Sequence, residues 1–533
     1  MSAQAMPALL VAALSGIACP ALRAAPAPAA APVTAEVAID AAAAGVVLDP
    51  RLAGLNVAVF DPELGSDGTA RLLAAAAVGS LRFPGGSVAD GYHWLDNRNE
   101  GRDAPWRTDV VAFARLNEQL GGKAYVVVNY GSGTAAEAAA WVAWANGDPG
   151  SKHELGRDER GRDWRTVGYW AALRAAAPLA DDDGLNRLRV AHPAAFGWTY
   201  WEIGNECYGD WEYDLHGAGG GLAGRAHDAA TYASEAARFM RRMRAVDPGA
   251  HVGVVAPGGA PRAYGRWTEI VLRQLARSGA RPDFVAVHLY PQEPGREEDA
   301  ALLAAPRRWA EELAHVRSEL RRRWTGAATP ELAVTELNSV TRNPGKQTAS
   351  LVNALFLADA QAQLAALGVP AVHWYALRGS ANREGNNADS LYGGRRYGMY
   401  AIVDDDAAGT PLPAYQVLAQ LAAWRAPGAV LLPAQAADPL LAIHATRRAD
   451  GALALLAINE HPDATVAARI SLANFLPAAD ATLTAYGPEQ ESAHAPARTA
   501  ALRVETTGLT LTLAPYSVTV ALLPPRPPEV RQP

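Results

Sequence analysis

Eight short apolar runs, each followed by a stretch of helical character, constrain this chain more than any other feature. The runs are LNVAVF (55–60), SLRF (80–83), AYVVVN (124–129), WTYWEI (198–203), HVGVVA (251–256), FVAVHLY (284–290), ELAVTE (331–336) and AVHWYA (371–376). Most are continuously apolar rather than alternating, the pattern of strands buried on both faces of a parallel sheet. Amphipathic segments lie between them, among them 134–146, 229–246 and the charged, leucine-bearing stretch 302–324. Eight strand–helix units within 51–424 predict an α/β fold, a (β/α)8 barrel.

After Trp424 the helical spacing stops and short alternating strands take over, at 440–448, 453–461, 465–472, 481–487, 509–515 and 517–523. Turn residues such as Asp450-Gly451 separate them, which predicts a second, smaller antiparallel β-sandwich domain. The strand-like segment 35–50 precedes the barrel and is expected to pair with the C-terminal sandwich, so that this second domain comprises 35–50 and 425–525. The Pro-rich tail, 526–533, is expected to be disordered.

Residues 1–30 read as a signal peptide and linker. The apolar run 7–18 has the length of a signal h-region and is too short for the roughly 20 residues a bilayer span needs. Its n-region, MSAQAM, lacks Lys and Arg, and a lipid anchor at Cys19 is the lesser alternative to a secreted or periplasmic chain without stable membrane insertion. Of the two cysteines only Cys207 lies beyond this segment, so no intramolecular disulfide is expected. A net charge of −7 argues against a nucleic-acid partner. No HExxH or paired CxxC pattern is present, so neither a metal nor another cofactor is expected.

Catalytic groups of a (β/α)8 barrel gather at the C-terminal ends of its strands. Here those ends carry Arg82, Asn129, Asn205-Glu206, His288 and Tyr290, Glu336, and His373-Trp374-Tyr375. A glutamate at a strand end is often only a solvated loop residue. Two carboxylates facing one mouth among hydrogen-bonding and aromatic side chains form instead the pair that glycoside hydrolysis requires. One must protonate the leaving oxygen, and the other must attack the anomeric carbon or activate water. Asn205 is suited to a sugar 2-OH, Trp374 to an apolar sugar face, and Arg82 with Tyr290 to keeping Glu336 ionised. The charge of Glu336 is expected to raise the Glu206 pKa and keep that group an acid.

Trp201-Glu202-Ile203-Gly204-Asn205-Glu206, followed by Tyr208-Gly209-Asp210-Trp211-Glu212, resembles the acid/base motif of clan A retaining glycoside hydrolases, most nearly the family 51 α-L-arabinofuranosidases. Leu81-Arg82-Phe83-Pro84-Gly85-Gly86-Ser87, Asn129-Tyr130-Gly131-Ser132-Gly133-Thr134 and Ala333-Val334-Thr335-Glu336 are similar to that family's second-, third- and seventh-strand segments. The resemblance runs over about 35–525 and implies Glu206 as acid/base, Glu336 as nucleophile and retention of configuration. It also implies a −1 subsite lined by Arg82, Asn129, Asn205, Tyr290 and Trp374, and an oligo- or polysaccharide substrate. The chain departs from the family at Ser87–Asp90, where Cys or Asn often follows the Pro-Gly-Gly, and in the insert Gly209–Gly224.

Other readings remain open at this stage. β-Xylosidase, endoglucanase and β-glucuronidase chemistry share the Asn-Glu motif, and a glucuronidase would use Arg378 or Arg395 against the uronate. A carbohydrate-binding barrel without catalysis is the alternative of another class. Gly131-Ser-Gly-Thr-Ala-Ala136 matches a dinucleotide loop but follows the third strand, so it reads as a tight turn capped by Thr134. Cys207 reads as a buried small residue, and 217–224 as a mobile loop near the mouth.

Overall fold

The computed structural model describes residues 33–216, 228–259, 264–406, 409–505 and 507–527. The apolar segment 7–18, the glycine run 217–224 and most of the Pro-rich tail lie outside them.

Two strands, β1 (Val33–Asp40) and β2 (Val46–Val47), precede the barrel. The barrel strands are β3 (Gly54–Asn56), β4 (Ser80–Phe83), β5 (Lys123–Val128), β6 (Tyr200–Ile203), β7 (His251–Val255), β8 (Phe284–Leu289), β9 (Glu331–Leu337) and β10 (Ala371–Trp374). All pair in parallel, and β10 closes on β3. The eight apolar runs are these eight strands. The first strand ends at Asn56 and so is shorter than its run, and it begins one residue earlier at Gly54, where a Cβ would stand 2.5 Å from the Val372 carbonyl oxygen of β10.

Local sequence sets the helix ends. The Thr134 hydroxyl accepts from the Glu137 amide to start helix Ala135–Asn146, and Asp228 caps helix Ala229–Val246. The stretch 302–324, expected as one amphipathic segment, is instead broken into pieces. Asp299–Ala304 gives way to a 3-10 turn at Ala305–Arg308, then to Trp309–Glu312 and Ala314–Arg323. Pro306, which cannot donate to the preceding turn, sits at the break.

The C-terminal strands are β11 (Val430–Leu432), β12 (Leu441–Arg447), β13 (Leu453–Asn459), β14 (Val466–Ala473), β15 (Thr482–Tyr486), β16 (Arg498–Ala501), β17 (Gly508–Leu513) and β18 (Ser517–Leu523). A seven-stranded sheet runs β16-β15-β18-β13-β12-β11-β2, and a three-stranded sheet runs β1-β14-β17. Val37, Ile39, Ile470 and Leu511 of the small sheet bury against Ile443, Leu455 and Leu523 of the large one. The expected all-antiparallel sandwich needs one correction, since β1 and β14 pair in parallel. Parallel neighbours require a crossover connection, and here the whole barrel provides it.

Candidate active site

Arg82 organises the mouth of the barrel. It is fully buried on β4, and its guanidinium has five N–H donors to satisfy. Nε donates to Glu202 at 2.9 Å and Nη2 to the same carboxylate at 3.1 Å. Nη2 also donates to Asn205 Oδ1 at 2.8 Å, and Nη1 to Asn56 Oδ1 at 2.9 Å and Glu336 Oε1 at 2.8 Å. Burial disfavours the guanidinium charge, but the Glu202 and Glu336 carboxylates more than offset that and hold Arg82 cationic. The two glycines after Pro84 let the chain pass close to Ala58 and to Tyr375. Gly85 and Gly86 have φ of +109° and +48°, and a Cβ on Gly86 would stand 3.0 Å from the Tyr375 hydroxyl.

Glu336 comes to this charge through an irregularity in the β8–β9 ladder. The register shifts between Val287 and His288, so that His288 stands opposite Glu336. Glu336 Oε1 accepts from Arg82, and Oε2 accepts from the Tyr290 hydroxyl at 2.6 Å. Burial, then the neighbouring Glu336 charge, push the Tyr290 phenol well above its usual range, so it remains a donor.

Glu206 follows β6 on a loop pinned from beneath. The buried Asp90 accepts from the Asn205 amide at 2.9 Å and from the Tyr130 and Gly131 amides at 3.3 Å each. It thus ties the end of β5 to the end of β6. Gly204 has a φ of +71°, and a Cβ there would meet Cys207 Sγ at 2.4 Å. Glu206 itself takes a positive φ of 42°, a conformation an L-residue holds only when its surroundings fix it. Its Oε1 accepts from Tyr208 at 3.2 Å and its Oε2 from Trp211 Nε1 at 3.0 Å. Cys207 is buried within 3.7 Å of Asp90, and burial followed by the Asp90 charge keeps it a thiol.

His288 stands between the two glutamates. Its Nδ1 is 2.8 Å from Glu206 Oε1 and 3.6 Å from Glu336 Oε2. One carboxylate oxygen from each glutamate and a ring nitrogen of His288 all lie within 4.8 Å of one another. Burial disfavours imidazolium, but Glu336 and then Glu206 override it and raise the His288 pKa. For Glu206 burial favours the neutral acid, yet the His288 charge outweighs it and the pKa is lowered. The expectation that Glu336 would raise the Glu206 pKa is therefore corrected, because a cation lies between the two carboxylates. The two shifts run in opposite directions, each group favouring the charged form of the other.

Other site residues fall in two groups. Asn205 sits at the centre, with its Nδ2 donating to Glu212 Oε1 at 2.9 Å. Asn129 closes its own turn, accepting from the Ser132 amide at 2.9 Å and donating to its hydroxyl at 3.0 Å. Trp374 is a correction: it is 1% exposed and its ring lies 6.1 Å from Phe356 of helix Leu351–Ala366. Side chains alternate along a strand, so His373 points into the barrel and Tyr375 reaches the mouth, while Trp374 points outward. Arg378 is engaged by Asp61 at 3.1 Å, and Arg395 lies 3.7 Å from Glu491.

Sequence reasoning assigned no role to Glu202, Asn56, Asp90, Tyr375 or Glu212. Glu202 carried a signal, since a charge within an apolar barrel strand demands a buried partner. Glu212 lies in the unmatched insert, 4% exposed, and accepts from the Ser87 hydroxyl at 2.6 Å. Burial and then the Asp90 charge raise its pKa well above the usual carboxylate range. Its Oε2 is buried with no partner among the described residues.

No protein-family model matches the chain. It is 23% identical over 249 residues to a probable α-L-arabinofuranosidase C of Aspergillus niger, covering 43% of this chain and 40% of that protein. It is 27% identical over 223 residues to an intracellular exo-α-L-arabinofuranosidase of Bacteroides ovatus, covering 39% and 34%. The chain thus spans less than half the length of these curated relatives. Among solved structures, the α-L-arabinofuranosidase of Thermotoga maritima in its arabinose complex aligns with a TM-score of 0.68 at 18% identity, over 92% of this chain and 99% of that one. The chain has the fold of the family 51 arabinofuranosidases. Barrel and second domain both fall within the aligned length. At this identity the family 51 likeness carries fold alone, and the chemistry rests on the side chains above.

Proposed function

We propose that the chain is a retaining glycoside hydrolase acting as an α-L-arabinofuranosidase, with Glu206 as acid/base and Glu336 as nucleophile. The observation that carries this reading is the close approach of the two carboxyl groups, with oxygens within 4.8 Å, across His288. Retaining enzymes hold their carboxyls about 5–5.5 Å apart, and inverting ones leave about 6.5–9.5 Å for a water. In the first step a Glu336 oxygen bonds to the anomeric carbon as the glycosidic C–O bond breaks, and Glu206 protonates the departing oxygen. His288 supplies that proton through the 2.8 Å contact. In the second step Glu206 takes a proton from water, whose oxygen displaces Glu336 from the anomeric carbon. Arg82 and Tyr290 hold the two Glu336 oxygens in place by hydrogen bonds, and the second N–H of Asn205 Nδ2 is available to the sugar 2-OH.

The names of the relatives support arabinofuranoside as the sugar. A uronate substrate loses its support, because Arg378 and Arg395 are both engaged by carboxylates. The apolar run 7–18 supports export of the chain. Hydrolysis of a nitrophenyl glycoside panel by the wild type, Glu206→Ala and Glu336→Ala tests the reading. Cleavage of the arabinofuranoside, lost in both variants, is the expected outcome. Another preferred glycoside would replace only the sugar, and no cleavage of any would favour a carbohydrate-binding barrel.

A further inference from the structure

Asp90 takes no part in the chemistry above, yet it is fully buried beneath the catalytic loop, in the 3-10 turn Gly86–Gly91 that follows β4. A buried carboxyl is costly unless its oxygens find partners. Here they are met by hydrogen-bond donors from two neighbouring strand ends, and the way those donors divide between the two oxygens is informative.

One side of the residue is anchored. The Asp90 carbonyl oxygen accepts from the Ser132 amide at 3.0 Å and from the Ser132 hydroxyl at 3.2 Å. Oδ1 accepts from the Tyr130 and Gly131 amides. All four donors belong to the turn after β5, so Asp90 is fixed to the barrel there. Oδ2 serves the loop after β6. It accepts from the Asn205 backbone amide at 2.9 Å and from the Cys207 thiol at 3.7 Å. Those residues immediately precede and follow Glu206. A single oxygen therefore grips the chain on both sides of the acid/base.

The grip falls where the backbone needs it. Glu206 has a φ of +42°, which an L-residue keeps only when contacts around it over-determine the conformation. The chain before it is held by the Gly204 amide on the Val128 carbonyl at 3.0 Å and by the Tyr232 hydroxyl on the Ile203 carbonyl at 2.8 Å. Asp90 comes so close that a Cβ on Gly204 would stand 2.9 Å from its Oδ1.

We infer that Asp90 is a positioning residue for the acid/base, fixing the backbone on either side of Glu206 so that its carboxyl meets the leaving oxygen. The inference rests on the retaining-hydrolase reading and brings to its acid step a residue from Ser87–Asp90, where the chain departs from the family pattern. Proton transfer depends on the separation and alignment of the two heavy atoms, and a misplacement of about 1 Å costs on the order of 10²-fold. A leaving group that departs with little protonation is spared most of that loss.

The test compares kcat/KM, which reports the first chemical step, for the 4-nitrophenyl and methyl α-L-arabinofuranosides on the full chain. If the panel favours another sugar, its own nitrophenyl and methyl glycosides are used. Asp90→Asn keeps the shape but turns an N–H towards donors at one end. It is expected to lower the methyl glycoside value by about 10–10²-fold and the nitrophenyl value by no more than a few-fold. Cys207→Ala removes one donor and should shift the ratio the same way by a few-fold, while Cys207→Ser donates again and should restore it. In a Glu206→Ala background Asp90→Asn should leave the ratio unchanged, because no acid is left to position. Equal losses on both substrates make Asp90 merely structural and overturn the inference, as does an unchanged ratio in folded Asp90→Asn. Should that variant not fold, an unchanged ratio in Cys207→Ala overturns it instead. Each of these results leaves the hydrolase reading intact. Failure of the wild type to cleave any glycoside overturns that reading and the role of Asp90 with it.

Discussion

The Ser87 hydroxyl donates to Glu212 Oε1 at 2.6 Å, joining the two places where this chain departs from the family pattern it resembles. The same oxygen accepts from Asn205, whose own carbonyl oxygen accepts from Arg82. Glu212 thus bears on the nucleophile through Asn205 and Arg82 without touching it. Its Oε1 serves as an acceptor to both Ser87 and Asn205, a role an amide oxygen fills equally well. Glu212→Gln is expected to keep kcat within a few-fold at pH 7, and Glu212→Ala to lose on the order of tenfold, the worth of one buried hydrogen bond. Comparing kcat on a substrate and its 2-deoxy analogue checks the route, since the loss should shrink when the 2-OH is absent.

Glu206→Ala is expected to lower kcat by about 10²–10⁴ on natural substrates, the usual range for a general acid. The loss should be smallest on nitrophenyl glycosides, whose leaving group needs little protonation, and azide should restore turnover as an azido sugar of retained configuration. Glu336→Ala should show no such recovery with retained configuration. Kinetics and NMR of the products distinguish the two.

The proton on the Glu206–His288 pair sets the alkaline limit of activity. The His288 pKa is raised, so the limb should lie above the ordinary imidazole value of about 6.5. His288→Gln leaves the proton to Glu206 alone, and the limb should move by roughly one unit or more towards acid. The same shifts govern stability. The His288 contribution is full below its unfolded value and fades as pH rises through the raised folded one. The Glu206 contribution is present above its unfolded value and is lost as pH falls through the lowered folded one. pH-rate profiles and melting curves of wild type and variant read both effects.

Removing Arg82 strands the buried Glu202 carboxylate. Arg82→Ala should cost about 3–5 kcal/mol of stability in addition to activity. Trp374→Ala should destabilise by a similar ~3–5 kcal/mol through the cavity it leaves, but the KM of the folded fraction should stay near that of the wild type, because the ring packs on Phe356 and not on substrate. Denaturant titration alongside KM separates the two cases.

The barrel was legible because parallel strands buried on both faces carry an uninterrupted apolar signal, and β4 was placed to the residue. That Glu206 and Glu336 come together was legible because both sit where such strands end. What a run such as AVHWYA does not reveal is its phase: three consecutive aromatic rings, His373, Trp374 and Tyr375, all fit a mouth on paper, and only the pleat decides which one points outward. Glu212 was hidden for a different reason. It reaches Asn205 from a loop, and its partner Ser87 is 125 residues away, so no local pattern marks the contact. The raised pKa of His288 was hidden as well, because a titration shift belongs to the three-dimensional neighbourhood and not to the residue.

The parallel pairing of β1 with β14 has a consequence for the order in which the protein is made. Val33 meets Val466 and Asp40 meets Ala473, so β1 leaves the ribosome well before its partner, with the whole barrel between them. Throughout synthesis of the barrel β1 offers an open edge, with the hazards of association that unpaired edges bring. A polypeptide kept unfolded until synthesis is finished would avoid that interval. Co-translational folding in a crowded compartment would instead leave β1 in need of a chaperone.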